Sequence, residues 1–86
     1  MRSQNRQPSE LTPLEDRLLR ILVMNQGSCL PRERLLRIIW GYHEDVKSRT
    51  VDMHVARLRR KLGRDLGSRL LTVRGAGYLW THSAPR

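Results

Sequence analysis

The sequence holds a single cysteine, Cys29, so no disulfide can form within the chain. A reducing cytoplasm is the compartment this leads one to expect. No apolar run approaches the roughly 18 residues needed to cross a bilayer, so no membrane partner is expected. The opening Met-Arg-Ser-Gln-Asn-Arg-Gln-Pro-Ser has no apolar centre and does not read as a signal peptide. The histidines at positions 43, 54 and 82 are scattered, with no ligand spacing around Cys29, so neither metal nor cofactor is expected. No nucleophile is spaced with a base and no glycine loop is suited to cradle phosphate, which makes an enzyme a poor reading. The 86 residues suffice for one small domain. A chain this short buries only about two-thirds of its unfolded surface, which leaves little room for a catalytic cavity.

Acidic residues are also scarce, at 8 against 17 Lys plus Arg, for a net charge of +9. Residues 49–74 hold seven Arg and Lys61 against Asp52 and Asp65, a net +6, whereas residues 11–48 carry a net +1. A charge serving solubility would be spread more evenly; this one is concentrated, as a footprint for a polyanion would be. Lysine itself is rare, since fifteen of the seventeen cations are arginine. Arginine suits bidentate contacts to phosphate and to guanine edges. A G+C-rich coding sequence would equally explain the arginine count, though not its placement.

What the chain does have is a long amphipathic stretch from Arg49 to Leu62, stopped by Gly63. Val51, Val55, Leu58 and Leu62 recur at helical spacing and form one stripe. At about 100° per residue, Arg49, Met53 and Arg60 fall on the opposite side, with Arg57 beside them. Thr50 and His54 take one flank, Asp52 and Arg59 the other. Such a helix can dock on a core while presenting cations, a hydroxyl and an imidazole outward. It fits the major groove of duplex DNA, whereas A-form RNA keeps its major groove narrow. A solvated basic face on an ordinary core helix is the competing reading.

The other segments build a support for that helix. Residues 1–10 are polar and aperiodic and read as a tail or linker stub, and residues 83–86 as a frayed tail. A domain is expected over residues 11–82. Thr12, Pro13 and Glu15 form a helix start, with Thr12 as cap, Pro13 at the first helical position and Glu15 completing a capping box. The helix runs to about Asn25, with Leu14, Leu18, Leu19, Ile21 and Leu22 inward. Residues 28–30 read as a connector. Pro31 begins a second helix through about Trp40, with Leu35, Leu36, Ile38, Ile39 and Trp40 on its apolar side. Trp40 reads first as a core anchor, with its indole N–H reaching a phosphate as the other reading. Residues 41–48 form a loop too long for a minimal helix-turn-helix, in which Glu44 and Asp45 suit a protein partner better than phosphate. Ser48 is expected to cap the third helix. Residues 64–68 read as a turn. Two β-prone runs, 69–74 and 78–81, flank Gly75-Ala76-Gly77 and predict a hairpin with Arg74 beside its tip.

Three helices and a basic hairpin describe an α+β, mainly α, winged helix-turn-helix. Leu-Thr-Pro-x-Glu-x-x-Leu-Leu at 11–19 resembles the opening of the OmpR/PhoB-type DNA-binding domain, the output module of bacterial two-component response regulators. Arg32-Glu33-x-Leu35-Leu36 with Trp40-Gly41-Tyr42 resembles its second helix. Residues 48–62, with Arg49, Thr50, Val51, Asp52, His54, Val55, Leu58, Arg59, Lys61 and Leu62, resemble its recognition helix. Thr72-Val73-Arg74-Gly75-x-Gly77-Tyr78 resembles its wing.

The resemblance implies that Arg49, Thr50, Met53, His54, Arg57 and Arg59 lie on or beside the DNA-facing side; Arg60 joins them as a candidate by helical spacing alone. It implies that Arg74 enters or borders the minor groove, while Trp40, Thr72 and Tyr78 make backbone or supporting contacts. Tyr42, His43, Glu44 and Asp45 fall in the loop that touches RNA polymerase in activators of this kind. Sequence-specific binding to double-stranded DNA and transcription regulation are the function implied, with a second copy expected on tandem half-sites. A protein-interaction module contacting RNA polymerase or another regulator is the alternative. The sequence departs from the family in lacking the N-terminal four-stranded sheet and the receiver domain, which leaves phosphorylation control and dimerisation open. Asp16 stands where an aromatic is favoured and Pro31 where a capping Ser is favoured. Ala56 replaces a position that is often basic.

Overall fold

The computed structural model describes residues 11–41 and 47–82. The two expected tails, 1–10 and 83–86, and the loop residues Tyr42, His43, Glu44 and Asp45 lie outside the described residues. Helix α1 spans Pro13–Met24, α2 Arg32–Trp40 and α3 Ser48–Gly67, followed by β1 at Leu70–Val73 and β2 at Gly77–Trp80. The two strands form an antiparallel hairpin in which Leu70 faces Trp80 and Thr72 faces Tyr78. Three helices and a C-terminal hairpin, mainly helical, is the architecture expected. No helix among the described residues is long and apolar enough to cross a membrane.

The core gathers one stripe from each helix. Leu18 and Leu22 of α1, Leu35 and Ile39 of α2, and Val51, Val55 and Leu58 of α3 are buried together with Leu30, Leu70, Tyr78 and Trp80. Leu62, the fourth member of the α3 stripe, packs against this cluster while remaining half-buried. Burying a side chain such as Leu58 is worth about 1.5–3 kcal/mol, so the α3 stripe alone fixes which way that helix turns. Helix α1 starts as expected. The Thr12 hydroxyl accepts from the Glu15 N–H at 3.1 Å, and Glu15 Oε1 accepts from the Thr12 N–H at 3.0 Å.

That capping carboxylate also sits in the core. Glu15 is 2% exposed, and its Oε1 accepts from Lys61 Nζ at 2.8 Å, tying the start of α1 to the end of α3. Burial alone would raise the Glu15 carboxyl, but Lys61 and Thr12 together outweigh it and hold the group below the usual carboxylate range.

Several local expectations need correction. Ser48 does not cap α3: it is the first helical residue, and Lys47 stands at the cap without a side-chain bond. Residues 64–68 are not a simple turn. Gly63 breaks the helix at φ 87° and ψ 178°, and residues 64–67 then make a further helical turn. Ile38 is 43% exposed rather than inward, because α2 buries only Leu35 and Ile39 fully. The connector is part of the sheet edge. Leu30 N–H donates to the Tyr78 carbonyl at 2.7 Å, Tyr78 N–H donates to the Leu30 carbonyl at 3.0 Å, and Gly27 N–H donates to the Trp80 carbonyl at 2.8 Å. β2 ends at Trp80, so Thr81 falls outside the strand.

The Leu30 crossing explains Gly77. It adopts a φ of 149°, and a Cβ there would collide with the Leu30 carbonyl and its neighbouring backbone. Gly77→Ala is expected to destabilise the fold by about 2–4 kcal/mol, since backbone rather than a flexible side chain must yield. A urea melt checks this. The Glu15 carboxyl, lowered in the fold, contributes stability that is complete above its unfolded value of about 4.3 and is lost as pH falls through its folded value. Urea melts between pH 3 and 7 are expected to show an acid decline that is shallower in Glu15→Gln.

Candidate nucleic-acid interface

With the apolar stripe of α3 turned inward, its opposite side is left to solvent. Arg49, Met53, Arg57 and Arg60 are exposed, Met53 by 50%. Among the described residues no acid pairs with Arg49, Arg57, Arg60 or Arg74. The face thus offers guanidinium groups already outward, spaced along a helix, with the Met53 thioether between them. Ala56 is exposed on the same helix and contributes no charge.

One flank of α3 carries Thr50 and His54, both half-buried. His54 Nδ1 lies 2.9 Å from the Thr50 carbonyl, within the same helix. Its ring meets the Trp40 indole edge-on, with centroids 5.1 Å apart and planes at 68°. Trp40 is half-buried and packs against the core, as first read, and it also supports His54 from the end of α2.

The other flank carries the hairpin. Asp52 is the lone acid in the first turns of α3 and is fully engaged. Its Oδ2 accepts from Arg32 Nη2 at 2.8 Å, and its Oδ1 accepts from the Tyr78 hydroxyl at 2.7 Å. Tyr78 as a whole is 7% exposed, and its hydroxyl is held by Asp52 at the wall between α3 and the hairpin. Burial, then the bond to Asp52 and its charge, push this hydroxyl up to about 12, so it remains a donor at any ordinary pH. An exposed ion pair such as Arg32–Asp52 adds under about 1 kcal/mol; what it supplies is geometry.

Arg59 lies on the flank it shares with Asp52, as helical spacing predicts, and its guanidinium turns to β1 rather than to the face that carries Arg49 and Arg57. Nε and Nη2 both donate to the Leu70 carbonyl, at 3.1 and 2.7 Å, and Nη2 also donates to Thr72 Oγ1 at 3.1 Å. The reason is positional: Arg59 stands two turns beyond Asp52 on the flank that the hairpin covers, and β1 offers an unsatisfied carbonyl there.

The hairpin turn brings Arg74 alongside α3. Arg74 is exposed and lines a groove of about 310 Å³ with Pro31, Arg32, Asp52 and Gly75 among its walls. Thr72 is exposed next to it, its side-chain oxygen engaged by Arg59. Of the predicted residues, the structure gathers Arg49, Met53, Arg57 and Arg60 on one face, with Thr50, His54 and Trp40 on one side and Thr72 and Arg74 on the other. Asp52 and Arg32 were the residues missed. A single carboxylate inside a helix of arginines was the available signal, since such a group needs a partner.

Comparison with known proteins shows what the chain is similar to. The family described as "Transcriptional regulatory protein, C terminal" matches residues 6–80. The response regulator protein PmrA of Pseudomonas aeruginosa is 44% identical over 79 residues, covering 92% of this chain and 34% of that protein. The DNA-binding domain of CssR from Bacillus subtilis superposes with a TM-score of 0.74 at 33% identity, covering 84% of this chain and 78% of the other. The RstA DNA-binding domain of Klebsiella pneumoniae, solved with the RstA box, gives 0.72 at 33% identity, covering 83% and 72%. The chain spans about a third of the length of the curated relatives it matches. A winged helix with these residues, aligned over nearly all of its sequence, belongs to the transcriptional regulatory protein C-terminal family, of the OmpR/PhoB type found in response regulators.

Proposed function

We propose that this chain binds double-stranded DNA sequence-specifically and regulates transcription, with α3 in the major groove and the hairpin at the minor groove. One observation carries the reading. Arg49, Arg57 and Arg60 project from one side of α3, unpaired with any described acid, beside an exposed Arg74 on the hairpin turn. The solved relatives support it, since RstA was solved with the RstA box and AdeR with an intercistronic region.

Arg49 or Arg57 would read a guanine edge, and Met53 with the Thr50 methyl would pack on thymine methyls. Arg60, His54, Trp40, Thr72 and Arg74 would meet sugar and phosphate and fix register. One copy reaches few bases, so a second copy on tandem half-sites completes the site. RNA polymerase is the protein partner this reading assigns to the loop carrying Tyr42, His43, Glu44 and Asp45, and the cytoplasm is its compartment. The reading assigns the chain no catalytic step, metal or cofactor.

Binding to a set of variant duplexes, titrated across salt, tests this. Arg57→Ala is expected to cost about 1–3 kcal/mol and to relax preference at one base position. Arg74→Ala should weaken all duplexes alike and reduce the slope of log affinity against log salt by about 0.9. Equal affinity of the parent protein for every duplex would overturn the recognition role.

A further inference from the structure

We infer that Arg59, with Asp52, is a positioning residue that locks the hairpin to the recognition helix, so that Arg74 acts at a fixed offset from Arg49 and Arg57. The inference rests on the DNA-binding reading and changes the part that one of its cations plays.

A two-stranded hairpin has two open edges, each with backbone groups that need partners. The outer edge of β2 is closed by the backbone of residues 27–30, through the Gly27, Leu30 and Tyr78 bonds. Among the described residues no strand neighbours the outer edge of β1, and there Arg59 takes the Leu70 carbonyl. Its planar fork places two N–H groups on the Leu70 carbonyl and one on the Thr72 oxygen. Asp52 holds the hairpin from the same helix by accepting the Tyr78 hydroxyl, while its other oxygen holds Arg32 of α2. Asp52 and Arg59 are seven residues apart, about 10.5 Å along the axis and on one flank. Two attachments separated by that length remove rotation of the hairpin about either one. The three bonds take Nε and Nη2 of the guanidinium and fix its plane against the hairpin, leaving Nη1 as its remaining donor.

The test is a double-mutant cycle in the full chain, read by affinity for the preferred duplex across salt. Arg59→Ala is expected to weaken binding about tenfold while leaving the salt slope unchanged, because no phosphate contact is removed. In an Arg74→Ala background the same change should cost less than about twofold, because the group it positions is gone. Arg59→Lys keeps the charge but loses the fork, and should show the same pattern more weakly. Circular dichroism checks that each variant is folded. Amide exchange at Gly75–Tyr78 should quicken in Arg59→Ala without any DNA, a readout that stands even if the parent shows no duplex preference. A slope reduced by about 0.9, an undiminished loss in the Arg74→Ala background, or unchanged hairpin exchange would each overturn the positioning role. Failure of the parent to discriminate between duplexes would instead overturn the sequence-specific reading on which the inference rests.

Discussion

The burial of Val51, Val55 and Leu58 is the constraint on which the rest of the molecule depends. These three side chains, each no more than 1% exposed, set the rotation of α3 about its own axis. Once that rotation is set, helical geometry leaves Arg49, Met53, Arg57 and Arg60 nowhere to go but outward. The first two helices serve this one placement. Leu18, Leu22 and Leu35 supply the surface on which the stripe rests, and Lys61 fastens its far end to Glu15. The apolar contacts thus decide orientation, and the polar ones decide where the hairpin stands relative to it.

The two carboxylates that matter are used in a similar manner. Glu15 and Asp52 each bind two partners from different parts of the chain. Glu15 serves a helix start and a distant lysine; Asp52 serves α2 and the hairpin. A small domain has few apolar side chains to spare, and Asp52, with one oxygen on Arg32 and the other on Tyr78, joins three segments without enlarging the core.

Much of this was legible from the sequence because the signals were local. The capping box at Thr12 and Glu15, the stripe from Val51 to Leu58 and the hairpin with its glycine turn depend on spacing within a few residues. The misplaced features depend on partners far along the chain. Arg59 and Arg60 are neighbours in sequence and identical in chemistry. Only the arrival of β1 on one flank separates a brace from an exposed cation. Leu30 carries no strand signal in a three-residue connector, yet Tyr78, 48 residues later, makes it a sheet edge. Gly63 reads as a stop because glycine ends helices, whereas the chain resumes for another turn beyond it. The roles of individual side chains toward DNA were legible only as a pattern on a face.

The break at Gly63 limits how long a text this protein can read. The straight part of α3, from residue 48 to residue 62, is about 22 Å long at 1.5 Å per residue. Duplex DNA advances 3.4 Å per base pair, so that rod spans about six steps, and its ends diverge from the curving groove. Roughly four base pairs remain within reach of side chains, a word that recurs every few hundred positions in any genome. An address of that length is ambiguous by itself, which is the burden that the proposed second copy would share.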